Sequence, residues 1–275
     1  MTAISTEPPA TGDPVGEGYR RLAAAYPALR IRTGEPPAGE GWVRGSTLAA
    51  DPRAVQAMID LDSRAGERDH GVPLRPDVAA GFSLHRYAWP VALAFTVPWL
   101  LERRVPRLPP DRVAINRSTG ELAVRPVELV VLPGDPLASA AAAGSAARAG
   151  GAELRVAADE AALRAELLAA VAEHLAPVVA AFRPRVRRGP RTLWGMVTDD
   201  VVEGLWYLGG LFGEEDRAAA ELTALLPGDG PAPFVGAAGF RHEDAMRTRT
   251  RTTCCLFYTV RPEEPCFTCP RRQSM

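Results

Sequence analysis

Lysine is missing from this chain altogether, so every basic side chain is arginine, a planar and permanently charged fork. A net charge is nearly missing too: −1 overall gives no global reason to expect nucleic acid. Cysteine is scarce, with four residues in 275, and histidine equally so. A chain of this length buries a full core without disulfides. The opening stretch, MTAISTEPPATGDPVGEG, has neither a basic start nor an apolar run, so it does not read as a secretory signal. Its Pro, Gly, Thr and Glu content reads as a disordered tail over residues 1–17. Long apolar runs are lacking as well. Tyr87 to Leu101 is the nearest approach, but it is shorter than the roughly 20 residues a spanning helix needs. Pro90 and Pro98 interrupt it and Arg86, Glu102, Arg103 and Arg104 flank it, so a buried helix is expected and no transmembrane segment. The expected location is cytoplasmic, with peripheral contact at the inner face of the membrane as the variant.

Missing motifs narrow the chemistry. No Gly-x-Gly-x-x-Gly follows an expected strand, and GGLFG from Gly209 reads as a helix cap and turn. No bound flavin or nicotinamide is therefore expected. No Ser-His-Asp pattern or phosphate loop stands out. His242-Glu243-Asp244 are consecutive and converge poorly on one ion, and no His-Glu-x-x-His spacing exists, so a polar turn is expected there. Asp199 and Asp200 are neighbours on an expected helix and do not face each other as an acid–base pair. His85 and His174 fall in helical segments and read as packed or surface residues.

What is present reads as α+β, helix-dominated, with a small antiparallel sheet and a cysteine-rich C-terminal tail. One domain over residues 18–275 is expected. A first helix is expected from Gly18 to Leu29, followed by a Gly- and Pro-rich loop, IRTGEPPAGEGW. Asp51 caps a helix beginning at Pro52, and Pro76 opens another that runs, with interruptions, to Glu102. Val113, Ile115, Leu122 and Val124 alternate about a Ser-Thr-Gly turn, the pattern of a hairpin, and VELVVLP supplies a third strand. Residues 134–151 read as a short helix with a loose loop, or as a connector. Leu163, Leu167, Val171 and Leu175 recur at every fourth position, and so do Leu193, Val197, Val201 and Leu205; both are helix faces. Between them, RPRVRRGPR reads as a basic loop, solvated or facing an acidic partner or lipid headgroups. RTRTRTT then alternates, which suits a strand with Arg247, Arg249 and Arg251 on one face.

Every thiol lies in the tail: Cys254, Cys255, Cys266 and Cys269. Consecutive Cα atoms lie about 3.8 Å apart, below the roughly 4.4 Å lower edge for ordinary disulfides, so Cys254 and Cys255 should not pair. A reducing compartment also opposes cross-pairing. Four thiolates suit tetrahedral zinc, and Cys266-Phe-Thr-Cys269 has a common zinc-ligand spacing. Adjacent residues on a strand point to opposite faces, so Cys254 and Cys255 reach one ion only if the backbone bends. A 2Fe–2S cluster is larger and takes two thiolates per iron, which relaxes that demand. Spacing alone leaves zinc and iron–sulfur both open.

The string RTTCCLFYTVRPEEPCFTCP resembles the C-terminal signature of the FhuF-like ferric siderophore reductases. That signature is two adjacent cysteines, about ten residues, then Cys-x-x-Cys, usually followed by proline. Cys254, Cys255, Cys266, Cys269 and Pro270 occupy all of those positions. SLHRYAWPVALAFTVPWLL and LWGMV resemble the family's Trp-bearing helices more loosely. The resemblance implies a 2Fe–2S protein, its cluster-binding segment at 247–272, that reduces siderophore-bound Fe(III) to Fe(II). The implied partners are a ferric siderophore and an external donor, a ferredoxin or a flavin reductase. Arg247, Arg249 and Arg251 before the ligands, and Arg271 and Arg272 after them, would raise the cluster's potential or attract an anionic chelate. The alternative for them is a solvated face. Trp194 is a candidate for a substrate cleft, against a role in helix packing. Two other functions stay open: a ferric-siderophore binding or hand-over protein without turnover, and a zinc-stapled structural protein.

Overall fold

The computed structural model describes residues 13–139, 148–228, 230–243, 246–264, 266 and 268–270; the side chains at 242, 243, 246 and 247 are outside that description. It is helix-dominated α+β. Seven α-helices occur among the described residues: α1 Gly16–Ala25, α2 Gly45–Ala50, α3 Pro52–His70, α4 Pro76–Glu102, α5 Glu160–Phe182, α6 Pro190–Leu211 and α7 Glu215–Leu225. Val15 is fully buried and α1 begins at Gly16, so the fold starts inside the stretch expected as tail.

The centre is α4, which packs against α1, α3, α5 and α6. Nineteen of its twenty-seven residues are buried, which is why its sequence shows no polar face. Pro90 and Pro98 lie inside it without breaking it, contrary to the interruptions expected. Proline cannot donate to the carbonyl four residues back. For Pro98 that carbonyl is Ala94's, and the buried Tyr19 hydroxyl of α1 donates to it instead at 2.7 Å. Asp51 caps α3 as expected, accepting from the Arg53 amide at 2.8 Å, and Asp159 caps α5 through the Ala162 amide. Leu163, Leu167, Val171 and Leu175 of α5 are all buried. With its one-turn extension, Glu160–Arg185, this helix is long and apolar enough to cross a membrane. Here its apolar face packs on α4, α2 and the sheet.

Sheet content exceeds the single antiparallel sheet expected. β1 (Arg30–Thr33) lies in the stretch read as loop and pairs in parallel with β5 (Glu121–Val124). β4 (Val113–Asn116) and β5 form the expected hairpin, with Val113 opposite Val124, and β2 (Trp42–Arg44) completes this four-stranded mixed sheet. Its turn needs Gly120: φ is +67°, and a Cβ there would lie 2.1 Å from the Ala28 carbonyl oxygen. A second mixed sheet has the order β3-β6-β8-β7 (Arg104–Arg107, Glu128–Val131, Ala152–Val156, Arg148–Ala149). The VELVVLP strand joins this sheet and not the hairpin. Part of the small-residue connector, residues 140–147, falls outside the described residues. Near the C-terminus β9 (Pro227–Gly228) pairs with β10 (Gly236–Ala237), and β11 (Gly239–Glu243) with β12 (Met246–Thr250). Of the RTRTRTT segment, residues 247–250 belong to β12 and residues 251–253 lie past its end, where the chain passes to the cysteines beside α6.

Candidate metal centre

The cysteine loop is seated on one face of α6. Asp199, 2% exposed, accepts from the Thr252 amide at 2.8 Å, the Thr253 amide at 2.9 Å and the Thr253 hydroxyl at 2.7 Å. One turn earlier Gly195 leaves room for the threonines: a Cβ there would meet Thr253 Cγ2 at 2.4 Å. Arg188, from the basic loop, donates to the Cys254 carbonyl at 2.7 Å. These contacts fix the backbone on both sides of the adjacent cysteines.

The chain then bends. Leu256 is left-handed, φ 66° and ψ 9°, and its amide donates to Cys254 Sγ at 3.4 Å. A one-turn helix, Phe257–Thr259, follows. A bulky residue in this region is uncommon and costs on the order of 1–3 kcal/mol. The bend is what adjacent thiols need to escape the opposite-facing geometry of a strand. Cys255 Sγ comes to 3.8 Å from Cys266 Sγ, and the Cys269 amide donates to the Cys266 carbonyl at 2.9 Å, closing the Cys-x-x-Cys turn. All four thiols are free; Cys269 is buried and the others are half-buried. The hydrogen bond shared with the Cys266 thiol holds Cys255 below the ordinary thiol range against the cost of burial, with Arg251 assisting. The same contact, together with burial, pushes Cys266 up, and burial raises Cys254. Among the described residues no three His, Cys, Asp or Glu side chains converge as a site for one metal ion.

The arginines expected near the cysteines separate. Arg249 is fully buried, 3.5 Å from Asp199 and paired with Glu203, so it is neither a solvated face nor a ligand-facing cation. Arg251 is also buried, 3.7 Å from Asp199, but borders the cavity that holds Cys255. The Arg247 side chain and Arg271 and Arg272 lie outside the description. Trp194 packs against Phe234, ring centroids 5.6 Å apart, and does not line that cavity.

The cavity, about 350 Å³, lies between α3, α4, α6 and the loop. Cys255 and Cys266 form part of its wall, facing Gly81, Phe82 and His85 of α4. His85 Nδ1 donates to Asp200 Oδ1 at 2.5 Å. Burial alone would lower His85, but the Asp200 charge and hydrogen bond outweigh it and raise it; burial also raises Asp200. Arg86, next along α4, is held by the fully buried Asp62, which Arg117 also grips at 2.6 and 2.9 Å. Burial works against the Asp62 charge, yet Arg117 and Arg86 keep its carboxyl below the usual range.

Sequence reasoning found the four thiols but not their setting. Asp199 and Asp200 do not face each other, as expected, yet both carry structural weight: Asp199 seats the loop and Asp200 anchors His85. Asp199 stands four residues after Gly195, a helix-face spacing that looks identical whether the face meets the core or a catalytic loop. No family model matches this chain, and no curated protein matches it either.

Proposed function

We propose that this chain is a 2Fe–2S electron-transfer protein that reduces siderophore-bound Fe(III) to Fe(II), in the manner of the FhuF-like ferric siderophore reductases. The observation that carries this reading is the bent loop, which turns an adjacent cysteine pair toward a Cys-x-x-Cys turn at the edge of a cavity. Four thiolates are the donor set of a 2Fe–2S cluster, two per iron. Two thiolates bound about 2.3 Å from a tetrahedral ion lie about 3.8 Å apart, the separation of Cys255 and Cys266. That contact fits one ligand pair on either metal; the preference for two bridged irons over a single zinc rests on the likeness of the Cys-Cys-x10-Cys-x2-Cys tail to the FhuF-like signature.

Cys254, Cys255, Cys266 and Cys269 would hold the cluster. When bound, it supplies one electron at a time, drawn from a separate ferredoxin or flavin reductase. Oxygen ligands that grip Fe(III) hold the larger, softer Fe(II) weakly, so one-electron reduction releases the metal. The protein's own part is to favour the thiolate at Cys255, to position the loop through Asp199 and Arg188, and to set a cation, Arg251, beside Cys255. A nearby cation favours the more negative reduced state and raises the potential.

The test is anaerobic. Freshly purified protein is expected to be brown and to carry iron and sulfide in equal amounts. Mixing the reduced protein once with a ferric siderophore in the presence of a ferrous trap should yield ferrous product. A coloured protein whose fully reduced form gives none is a binding or hand-over protein; a colourless one carrying zinc is structural.

A further inference from the structure

We infer that the arginine loop of residues 183–191 is the landing surface for an acidic, ferredoxin-type electron carrier, which it holds beside the backbone of Cys254. This rests on the reductase reading, which calls for an external donor, and goes beyond it in saying where that donor binds and by what chemistry. On docking, the carrier is oxidised by one electron and this chain is reduced by one; no bond forms or breaks.

The loop, RPRVRRGPR, joins α5 to α6 and places five arginines in nine residues. No acidic residue occurs between Glu173 and Asp199. Arg183, Arg185, Arg187 and Arg191 are exposed and Arg188 is half-buried. Among the described residues none of the five has a carboxylate partner. Arg185 donates to the Gln56 side-chain oxygen and Arg188 to the Cys254 carbonyl at 2.7 Å. That sets the loop apart, because arginines elsewhere in the described chain are mostly paired with Asp or Glu, as Arg20, Arg104 and Arg155 are. A chain of net charge −1 thus carries five uncompensated positive charges on one short segment. Such a patch concentrates the local field and speeds encounter with an oppositely charged surface.

Position and composition select the partner. Arg188 ties the loop directly to a proposed ligand residue, so an acidic face seated on its neighbours lies beside the thiols, where an electron must enter. Guanidinium forks match carboxylates two hydrogen bonds at a time. A membrane is a poorer match. Prolines aside, the loop's one apolar side chain is Val186, 2% exposed, which leaves little to enter the acyl boundary. Nucleic acid is a poorer match as well, because the loop holds no aromatic ring on which bases could stack. A small anionic chelate would sit in a concave, mostly apolar pocket with few polar groups. Four exposed forks spread along one segment instead suit several carboxylates on a protein face.

The probe is oxidised plant-type 2Fe–2S ferredoxin, an acidic protein that in this state donates no electron. Calorimetric titration into the cluster-loaded full chain at about 10 mM salt should show binding. It should weaken steeply toward about 0.15 M, as the Debye length falls from about 30 Å to about 8 Å. Ferredoxin should also slow phenylglyoxal labelling of Arg187 and Arg191, read by mass spectrometry. The triple variant Arg183→Glu, Arg187→Glu, Arg191→Glu should bind at least about tenfold more weakly at low salt, the low end for electrostatic focusing. Its visible spectrum and far-UV circular dichroism should be unchanged. Arg188 is left in place because it holds the Cys254 carbonyl. A charge-matched control, Arg20→Glu, Arg30→Glu, Arg148→Glu on α1, β1 and β7, should bind like wild type. No binding by wild type, labelling protection only outside the loop, wild-type affinity in the folded loop variant, or equal weakening by both triples overturns the docking surface. So does binding to phosphatidylglycerol vesicles that the loop variant loses while it keeps ferredoxin, which makes the loop a membrane contact. If the loop variant loses its cluster, the wild-type labelling pattern decides alone. Ferredoxin bound at the loop with no Fe(II) from fully reduced protein overturns the reductase reading and leaves the surface standing. Fe(II) from chemically reduced protein with no ferredoxin at the loop does the reverse.

Discussion

At the residue scale the clearest pH-sensitive group is not in the candidate site but in the core. His174 of α5 is fully buried; its Nδ1 donates to the Leu108 carbonyl at 2.6 Å and its Nε2 accepts from the Tyr87 hydroxyl at 2.8 Å. Both contacts use the neutral ring, and burial lowers its pKa to about 4 despite the Leu108 carbonyl, which favours the charged form. In the unfolded chain it titrates near 6.5. Below 6.5 the unfolded state takes up a proton that the native state refuses, so native stability is full above that pH. It falls progressively as pH drops toward 4, by about 3 kcal/mol in all. His174→Gln can donate to Leu108 and accept from Tyr87 without titrating. Urea unfolding should find the variant less stable than wild type at pH 7.5 and the gap closing as pH falls to 4.5. A gap independent of pH would show that His174 is no acid-sensitive element.

At the element scale, α6 is the support on which the C-terminal segment lies. Asp199→Asn keeps the shape but turns an N–H₂ toward backbone donors and leaves Arg249 with Glu203 alone. Breaking a buried ion pair in this way costs about 3–5 kcal/mol. Gly195→Ala should gain about 1 kcal/mol of helix propensity, yet its methyl would drive into Thr253. Both variants should lose hydrogen-exchange protection at the Thr252 and Thr253 amides and bleach faster with an iron chelator. A Gly195→Ala protein with unchanged protection would show that α6 is not the seat. Such contacts mark the limit of what sequence makes legible. Helix spans followed from periodicity and caps, because Leu163 to Leu175 and Asp51–Pro52 are local signals. β1 was hidden in a Gly- and Pro-rich stretch because its partner, β5, is some ninety residues away and only pairing makes it a strand. Arg249 and Arg251 alternate with threonine just as a solvated strand would; burial depends on α6 presenting Asp199. The thiols were legible because their chemistry does not depend on context, and the cavity was not, because its walls come from four separate segments.

At the scale of the whole molecule, core and candidate centre are nearly independent. The hydrophobic core runs through the helices and both mixed sheets, and among the described residues beyond β11 only Val260 packs against it. A chain of 275 residues has enough buried apolar surface to fold without a metal staple, unlike small zinc domains whose folding energy is the binding energy of the ion. Metal removal should therefore be a local event. Cys266→Ser changes a half-buried side chain and deletes one proposed ligand. It should abolish or greatly weaken visible absorbance while far-UV circular dichroism stays at wild-type amplitude. The urea midpoint should move by no more than about 1 kcal/mol of stability, the ordinary cost of a substitution away from the core. Chelation of iron from the wild type should give the same result: colour lost, helices kept, and exchange protection lost only from residue 252 onward. Collapse of the helical signal on either treatment would mean that the ion organises the fold, and the separation of core from centre argued from the position of Val260 would be wrong.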